Sequence, residues 1–334
     1  MSEFRQDIVT KEWVLIAPSR SGRPYEFKKK PAHSEKLPEV SPSCVFCPGN
    51  EKQTPAEILR YPEKGDWKIR VVPNKFGVLE LDGAPDTHRN FYVTLPGTGS
   101  HEVLITRKHN EPTSMQSVGE IDLSLMIMQQ RIDELGRHPG VKYVHVIQNS
   151  GQLAGASLVH PHSQIFAMPF LGPHIAEEIK GASSHYHIFD KCVYCQIIQH
   201  EIAEKVRIVF ETENYVVLCP FESKMPFQMR ILPKNHQARF HTINSTHRKE
   251  LAAVLKNALT RLYTKIGDPS YNFYIHTLPF YKGTNQAVPE EAYHWHLVIL
   301  PRVNIWAGLE LGTEIYVNVM PPEKAAEYLR GEEL

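Results

Sequence analysis

Gly155-Ala156-Ser157-Leu158-Val159-His160-Pro161-His162-Ser163-Gln164 sets a small, flexible loop directly before two imidazoles spaced two residues apart, with an amide in line with the second. On an extended strand, residues i, i+2 and i+4 project to one face, so His160, His162 and Gln164 share a surface if the backbone stays regular. Pro161 has no N–H to give to a sheet, so the pair is expected where loop becomes strand, a usual place for functional side chains. An imidazole there attacks phosphorus, moves a proton or binds a metal. The bland alternative is two histidines satisfied by local hydrogen bonds.

Working outward, the chain repeats itself. Cys44-Val45-Phe46-Cys47 and Cys192-Val193-Tyr194-Cys195 stand 148 residues apart. Each precedes an extended segment and then a strand-like run that leads to a histidine, residues 102–107 before His109 and 227–232 before His236. An amphipathic helix follows in each half, with apolar positions Ile121, Leu125, Met128, Ile132 and Leu135 in one and Leu251, Leu255, Ala258 and Leu262 in the other. Gly136 and Gly267 supply stop signals, and strands are expected at 141–147 and 271–276. A glycine-containing loop then leads to His160-Pro161-His162 or to His294-Trp295-His296, 134 residues later. The matching order predicts an α+β protein of two copies of one unit, residues 1–170 and 171–334, each an antiparallel sheet with a helix packed across it. Proline-rich stretches at 21–43 and 169–191 are read as arm and linker.

A tetrahedral zinc site takes four nitrogen or sulfur ligands, commonly two from a Cys-x-x-Cys knuckle. The first half offers Cys44, Cys47, His109 and one histidine of the His160/His162 pair; the second offers Cys192, Cys195, His236 and His294. Redox dithiols or buried thiols are the alternatives. Four protein ligands leave no place for water, so such sites would be structural, tying each arm to its sheet. If His160 binds metal, strand alternation frees His162 for chemistry. Cys219 reads as a small buried hydrophobe.

The 334 residues are 42% apolar and 22% charged, an ordinary globular composition. Lys plus Arg balance Asp plus Glu at 37 each, so no basic field exists to hold a nucleic acid polymer, while a local phosphate pocket stays possible. No apolar run approaches the roughly 20 residues that span a bilayer, and the first residues lack a signal-peptide core, so a cytoplasmic protein without a membrane partner is expected.

The segment 155–164, the preceding Asn149, the Cys-x-x-Cys knuckle and the two-fold repeat together resemble the galactose-1-phosphate uridylyltransferase family, a branch of the histidine-triad superfamily. The likeness runs from Ser19-Arg20 to Pro321-Pro322; hydrolytic histidine-triad proteins match one repeat only and carry a third histidine where this chain has Gln164. The resemblance implies two tandem histidine-triad-like repeats, two Zn2+ per chain and a homodimer. His160 would complete the first zinc site. His162 would attack the α-phosphorus of a nucleoside diphosphate sugar, releasing sugar 1-phosphate and holding the nucleotide until a second sugar 1-phosphate takes it, in ping-pong fashion. Arg20, Arg23, Gln53, Thr54, Asn74 and Asn149 match residues that hold the nucleotide. In Gly308-Leu309-Glu310, Glu310 would bond sugar hydroxyls, and Leu309 replaces an aromatic residue.

Gln164 can donate an amide N–H to a phosphoryl oxygen but is no general acid or base, which favours transfer over hydrolysis. The Gly155-Ala156-Ser157 loop could bring backbone N–H groups and a hydroxyl to the diphosphate. Glu177 and Glu178 lie where iron-type bacterial members of the family carry a glutamate ligand, but adjacent carboxylates on a polar helix are expected to be solvated. Cys192 and Cys195 resemble the two-zinc branch, some of whose members use adenylyl donors. His276 and His296 could serve a metal or substrate; Val298 stands where Gln164 would be mirrored, so the second half is expected to be catalytically silent. His185 and His187 read as surface residues, and Lys28 to Lys30 as a solvated cluster. The first expectation is exchange between UDP-glucose and galactose 1-phosphate. A phosphorylase of ADP-glucose on the same scaffold comes second, and an inert nucleotide-binding zinc protein third.

Overall fold

The structure, a computed structural model, describes residues 1–20, 37–80, 91–280 and 288–332. In chain order its strands and α-helices are β1 (Glu3–Gln6), β2 (Trp13–Ile16), β3 (Leu59–Tyr61), β4 (Ile69–Pro73), β5 (Ser100–Thr106), α1 (Val118–Gly136), β6 (Tyr143–Ser150), β7 (His162–Met168), α2 (Pro173–Phe189) and α3 (Val193–Glu204). There follow β8 (Ile208–Glu211), β9 (Tyr215–Leu218), β10 (Met229–Pro233), α4 (Ser245–Leu262), β11 (Tyr271–His276), β12 (His296–Pro301), α5 (Gly308–Thr313), β13 (Tyr316–Asn318) and α6 (Pro322–Arg330).

Ten strands form one sheet in the order β3-β4-β5-β7-β6-β11-β12-β10-β9-β8. Read outward from its centre, β6, β7, β5, β4, β3 on one side face β11, β12, β10, β9, β8 on the other. The expected sheets are therefore joined edge to edge, by antiparallel pairing of β6 with β11 that sets Asn149 opposite Asn272 and Val146 opposite Ile275. Central strands such as β12, buried along its whole length, are continuous apolar runs because both faces are covered. A small second sheet, β1-β2-β13, lays the C-terminal segment against the N-terminal one.

One face carries the two expected helices. The Ile121-Leu125-Met128-Ile132-Leu135 stripe of α1 and the Leu251-Leu255-Ala258-Leu262 stripe of α4 share a core with Leu104, Val144, Ile165, Phe273 and Leu297 from the sheet. Ser117 and Glu120 form a reciprocal capping box at the start of α1, and Asn244 caps α4 by accepting from the His247 N–H. A buried Arg131–Glu102 ion pair at 2.7 Å fastens α1 to β5. Gly136 does end α1, but through packing: a Cβ there would lie 2.2 Å from the Phe280 ring.

The opposite face differs between the halves. Over the second half, α2 and α3 bury Ile175, Ile179, Ala182, Tyr194 and Ile198 against Val216, Leu218 and Leu232. The expected linker at 169–191 is thus mostly helix: Pro173 sits in its first turn, where no N–H is needed, and Ile175, Ile179 and Ala182 repeat at helical spacing. Over the first half, among the described residues, a smaller group, Trp67, Val72, Val103 and Ile105 with Phe46, packs on the sheet. His162 lies on this less covered face. Among the described residues no helix is long and apolar enough to cross a membrane.

Candidate active site

Strand β7 begins at His162, so His160 and Pro161 are the last residues of the preceding loop, as the proline requires. The Nδ1–H of His162 donates to the His160 carbonyl at 2.8 Å; a carbonyl only accepts, so the ring proton is on Nδ1 and Nε2 keeps its lone pair. Burial lowers the His162 pKa against the raising effect of that hydrogen bond, favouring the neutral ring. Phe46, from inside the Cys44–Cys47 knuckle, packs edge-on against the His162 ring at 5.3 Å and the His160 ring at 5.9 Å.

His160 faces the knuckle. Its Nε2–H donates to the Thr106 carbonyl at 2.6 Å, which leaves Nδ1 as a lone pair 3.6 Å from both Cys44 Sγ and Cys47 Sγ. Burial pushes its pKa down to about 4, so Nδ1 stays free to bind. His109 Nδ1 lies 3.5 Å from Cys47 Sγ. Zn–S and Zn–N bonds of about 2.3 and 2.05 Å at a tetrahedral angle put ligand sulfur and nitrogen about 3.6 Å apart. The cluster meets that test. The second half repeats the construction: Cys195 Sγ is 3.4 Å from His236 Nδ1 and 3.6 Å from His294 Nδ1, with Cys192 in the same group. The Nε2 atoms of His236 and His294 donate to the Glu290 and Pro233 carbonyls, the outer contacts that orient ligand histidines. All eight expected ligands thus fall into two groups of four, each able to hold a metal ion.

A third group was read differently from the sequence. Glu178 is buried, not solvated: its carboxylate lies 2.8 Å from His276 Nδ1 and 3.1 Å from His296 Nε2 and accepts from the Tyr194 hydroxyl. The reason is helical spacing, since Ile175, Glu178, Ile179 and Ala182 share the buried side of α2. The imidazoles beside it hold the Glu178 carboxyl well below the usual range against the opposing effect of burial. His296 mirrors His162 down to the Nδ1–H donated to the carbonyl two residues back, at 3.2 Å. Its Nε2, however, is closed by Glu178, whereas among the described residues no hydrogen bond engages Nε2 of His162.

Gln164 follows His162 on the same face and its Oε1 lies 2.8 Å from His101 Nε2. Asn74 adjoins the same imidazole at 3.1 Å. Asn149 shares the face through β6, where Ile147 pairs with Gln164, and its Oδ1 accepts from Asn272 at 2.8 Å. Thr54 is already engaged, donating to the Glu51 carbonyl and accepting from Arg70, each at 2.8 Å; Gln53 is exposed and donates to Asn50. The loop differs from expectation: the Gly155 and Ala156 N–H groups donate to the Gln152 and Gly151 carbonyls, so they are spent on the turn that Gly155 makes at φ +81°. Ser157 is exposed. Glu310 accepts from the Ala307 N–H at the start of α5, and Leu309 is exposed; α5 packs beside β13. Arg20 is exposed, and Arg23 and Lys28 to Lys30 lie outside the described residues.

His101, Phe46 and Glu178 were not singled out as site residues from the sequence. His101 was within reach of it, because alternation along β5 puts His101, Val103 and Ile105 on one face.

The histidine whose Nε2 is free among the described residues lies beside a Cys2His2 group and an amide. The family described as galactose-1-phosphate uridyl transferase, N-terminal domain, matches residues 1–172, and a domain of unknown function, DUF4921, matches 92–331. The chain belongs to the galactose-1-phosphate uridylyltransferase family and is an enzyme of the transferase class. It is similar to an ADP-glucose phosphorylase of Arabidopsis thaliana, 33% identical over 98% of this chain and 92% of that one. A galactose-1-phosphate uridylyltransferase of Thermotoga maritima is 29% identical over 100% and 99%. Among solved structures, an ADP-glucose phosphorylase from Arabidopsis thaliana with bound ADP-glucose superposes with a TM-score of 0.84, at 29% identity over 100% of this chain and 99% of that chain.

Proposed function

We propose that this enzyme moves a nucleotidyl group from a nucleoside diphosphate glucose to a phosphate acceptor through a covalent intermediate on His162. The observation that carries the reading is the donation of Nδ1–H to the His160 carbonyl, which leaves Nε2 unprotonated. The Nε2 lone pair forms a bond to the α-phosphorus as the bond to the bridging oxygen breaks, and glucose 1-phosphate leaves with that electron pair. Positive charge gained by the ring is met by the same carbonyl. An acceptor phosphate oxygen then attacks phosphorus and returns the pair to Nε2. Gln164 donates its amide N–H to a non-bridging oxygen, and the absence of an acid or base at that position disfavours water as acceptor. Zn2+, two per chain, would be held by Cys44, Cys47, His109 and His160 and by Cys192, Cys195, His236 and His294, where it ties loop to sheet. We assign the division of the chain to residue 170 and the working form to a homodimer.

The donor we assign is ADP-glucose. The 33% identity to an ADP-glucose phosphorylase and the TM-score of 0.84 with bound ADP-glucose, against 0.75 for a uridylyltransferase structure, support it. Exchange between UDP-glucose and galactose 1-phosphate is the second reading, favoured by the full-length match to the Thermotoga maritima enzyme. Titration calorimetry of the His162→Ala protein separates them: ADP-glucose is expected to bind at least about tenfold more tightly than UDP-glucose, some 1.4 kcal/mol. Preference for UDP-glucose would reverse the assignment.

A further inference from the structure

We propose that His101 is a positioning residue for the transfer, deciding which end of the Gln164 amide faces the nucleotide phosphate. This rests on the reading of Gln164 as a phosphoryl-oxygen donor. An amide presents a donor at one end and an acceptor at the other, and a flip of the group exchanges them at almost no cost in shape. Turned the wrong way, Gln164 would point oxygen lone pairs at phosphate oxygens, replacing an attraction by a repulsion.

Four contacts fix the orientation. The His101 ring stacks on Phe166, its partner across β5 and β7, with centroids 4.1 Å apart and planes 23° apart, so it cannot swing freely. The Val78 backbone N–H donates to His101 Nδ1 at 3.3 Å; a backbone N–H can only donate, so Nδ1 is an acceptor and the neutral ring carries its proton on Nε2. Asn74 Oδ1 accepts from the Phe76 N–H at 2.9 Å, so the amino end of Asn74 is the one turned to His101; at 3.1 Å it neither takes the Nε2 proton nor hydrogen-bonds to the protonated nitrogen. The acceptor that remains is Gln164, 2.8 Å away, and only its carbonyl end can receive that proton. The amino group of Gln164 is thereby turned away from His101. Burial lowers the His101 pKa against the raising effect of this hydrogen bond, which keeps the neutral tautomer in place.

The arrangement gives Asn74 a second part. By presenting a donor, it leaves Gln164 as the acceptor for His101 Nε2 among the described residues. Strand β5 thus carries an imidazole that reaches the phosphate only through its neighbour on β7.

A double-mutant cycle tests the proposal, reading the single-turnover rate of nucleotidyl-enzyme formation from labelled ADP-glucose and UDP-glucose together with donor Kd. His101→Phe keeps a ring on Phe166 but removes the donor; it is expected to slow adduct formation about tenfold with donor Kd little changed. In the Gln164→Ala background the same substitution is expected to add nothing. His101→Gln, which restores an N–H donor, is expected to recover part of the rate. Equal slowing by His101→Phe with and without Gln164, or no slowing at all, would overturn the proposal while leaving Gln164 in its role. Adduct formation at the full rate in Gln164→Ala alone would end the reading of Gln164 itself, and this proposal with it.

Discussion

The His162→Ala protein is expected to turn over its nucleotide-sugar substrate at least about 10,000-fold more slowly than the parent, because the nucleophile is the one part of a covalent mechanism that nothing else replaces. The structure makes the comparison sharp. His162 is buried and, among the described residues, makes a single polar contact, Nδ1 to the His160 carbonyl, so among those residues alanine removes little besides a ring edge packed on Phe46. Donor binding is expected to persist, since the other expected contacts, Asn74 just after β4, Asn149 on β6 and Gln164 on β7, stay in place. A built-in control exists in His296, which shares the Nδ1-to-carbonyl geometry but has Nε2 against Glu178. His296→Ala is expected to leave the adduct-forming step intact. The readout is steady-state turnover beside calorimetric donor affinity.

The second large effect concerns the metal groups. Metal analysis is expected to return about two zinc ions per chain, and Cys44→Ser and Cys192→Ser are each expected to lose one. Structural zinc sites are worth about 10–16 kcal/mol in apparent binding free energy, comparable with the whole stability of a domain, about 5–15 kcal/mol. Loss of either should therefore loosen the segment it ties. The two losses are not equivalent for function. Cys44 lies in the same group as His160, whose backbone carbonyl sets the tautomer of His162, so Cys44→Ser is expected to abolish activity as well as lower the melting temperature. Cys192 stands at the start of α3 in the group with Cys195, His236 and His294, which does not include His160, and Cys192→Ser is expected to keep measurable turnover. Zinc content unchanged in Cys192→Ser would remove the second site. A third equivalent bound by the parent would point to Glu178, His276 and His296.

Much of this was legible because local patterns and tertiary demands agree. The stripes of α1 and α4, the strand 271–276 and the two groups of cysteines and histidines that the structure brings together were readable from periodicity and offset, since the matching order in the two halves states each signal twice. What escaped had a tertiary cause. That the two expected sheets are one depends on β6 meeting β11, a pairing between strands far apart in the chain that no local signal encodes. The helix at 173–189 was hidden by Pro169 just before it and by Pro173, which occupies its permitted first turn. Glu178 beside Glu177 looks like a solvated doublet until the helix phase is known, and then one carboxylate lies with the buried apolar stripe while the other pairs with Lys180 at the surface. The Gly155 turn consumes the N–H groups that a flexible loop had promised to a phosphate.

The measurement that bears most directly on the account is peptide mapping, by mass spectrometry under alkaline conditions, of the parent protein quenched after mixing with donor in the absence of acceptor. The expected result is one nucleotidyl group per chain, acid-labile and base-stable, on the peptide that holds His162. An adduct on the peptide of His296, or turnover without any adduct, would contradict it.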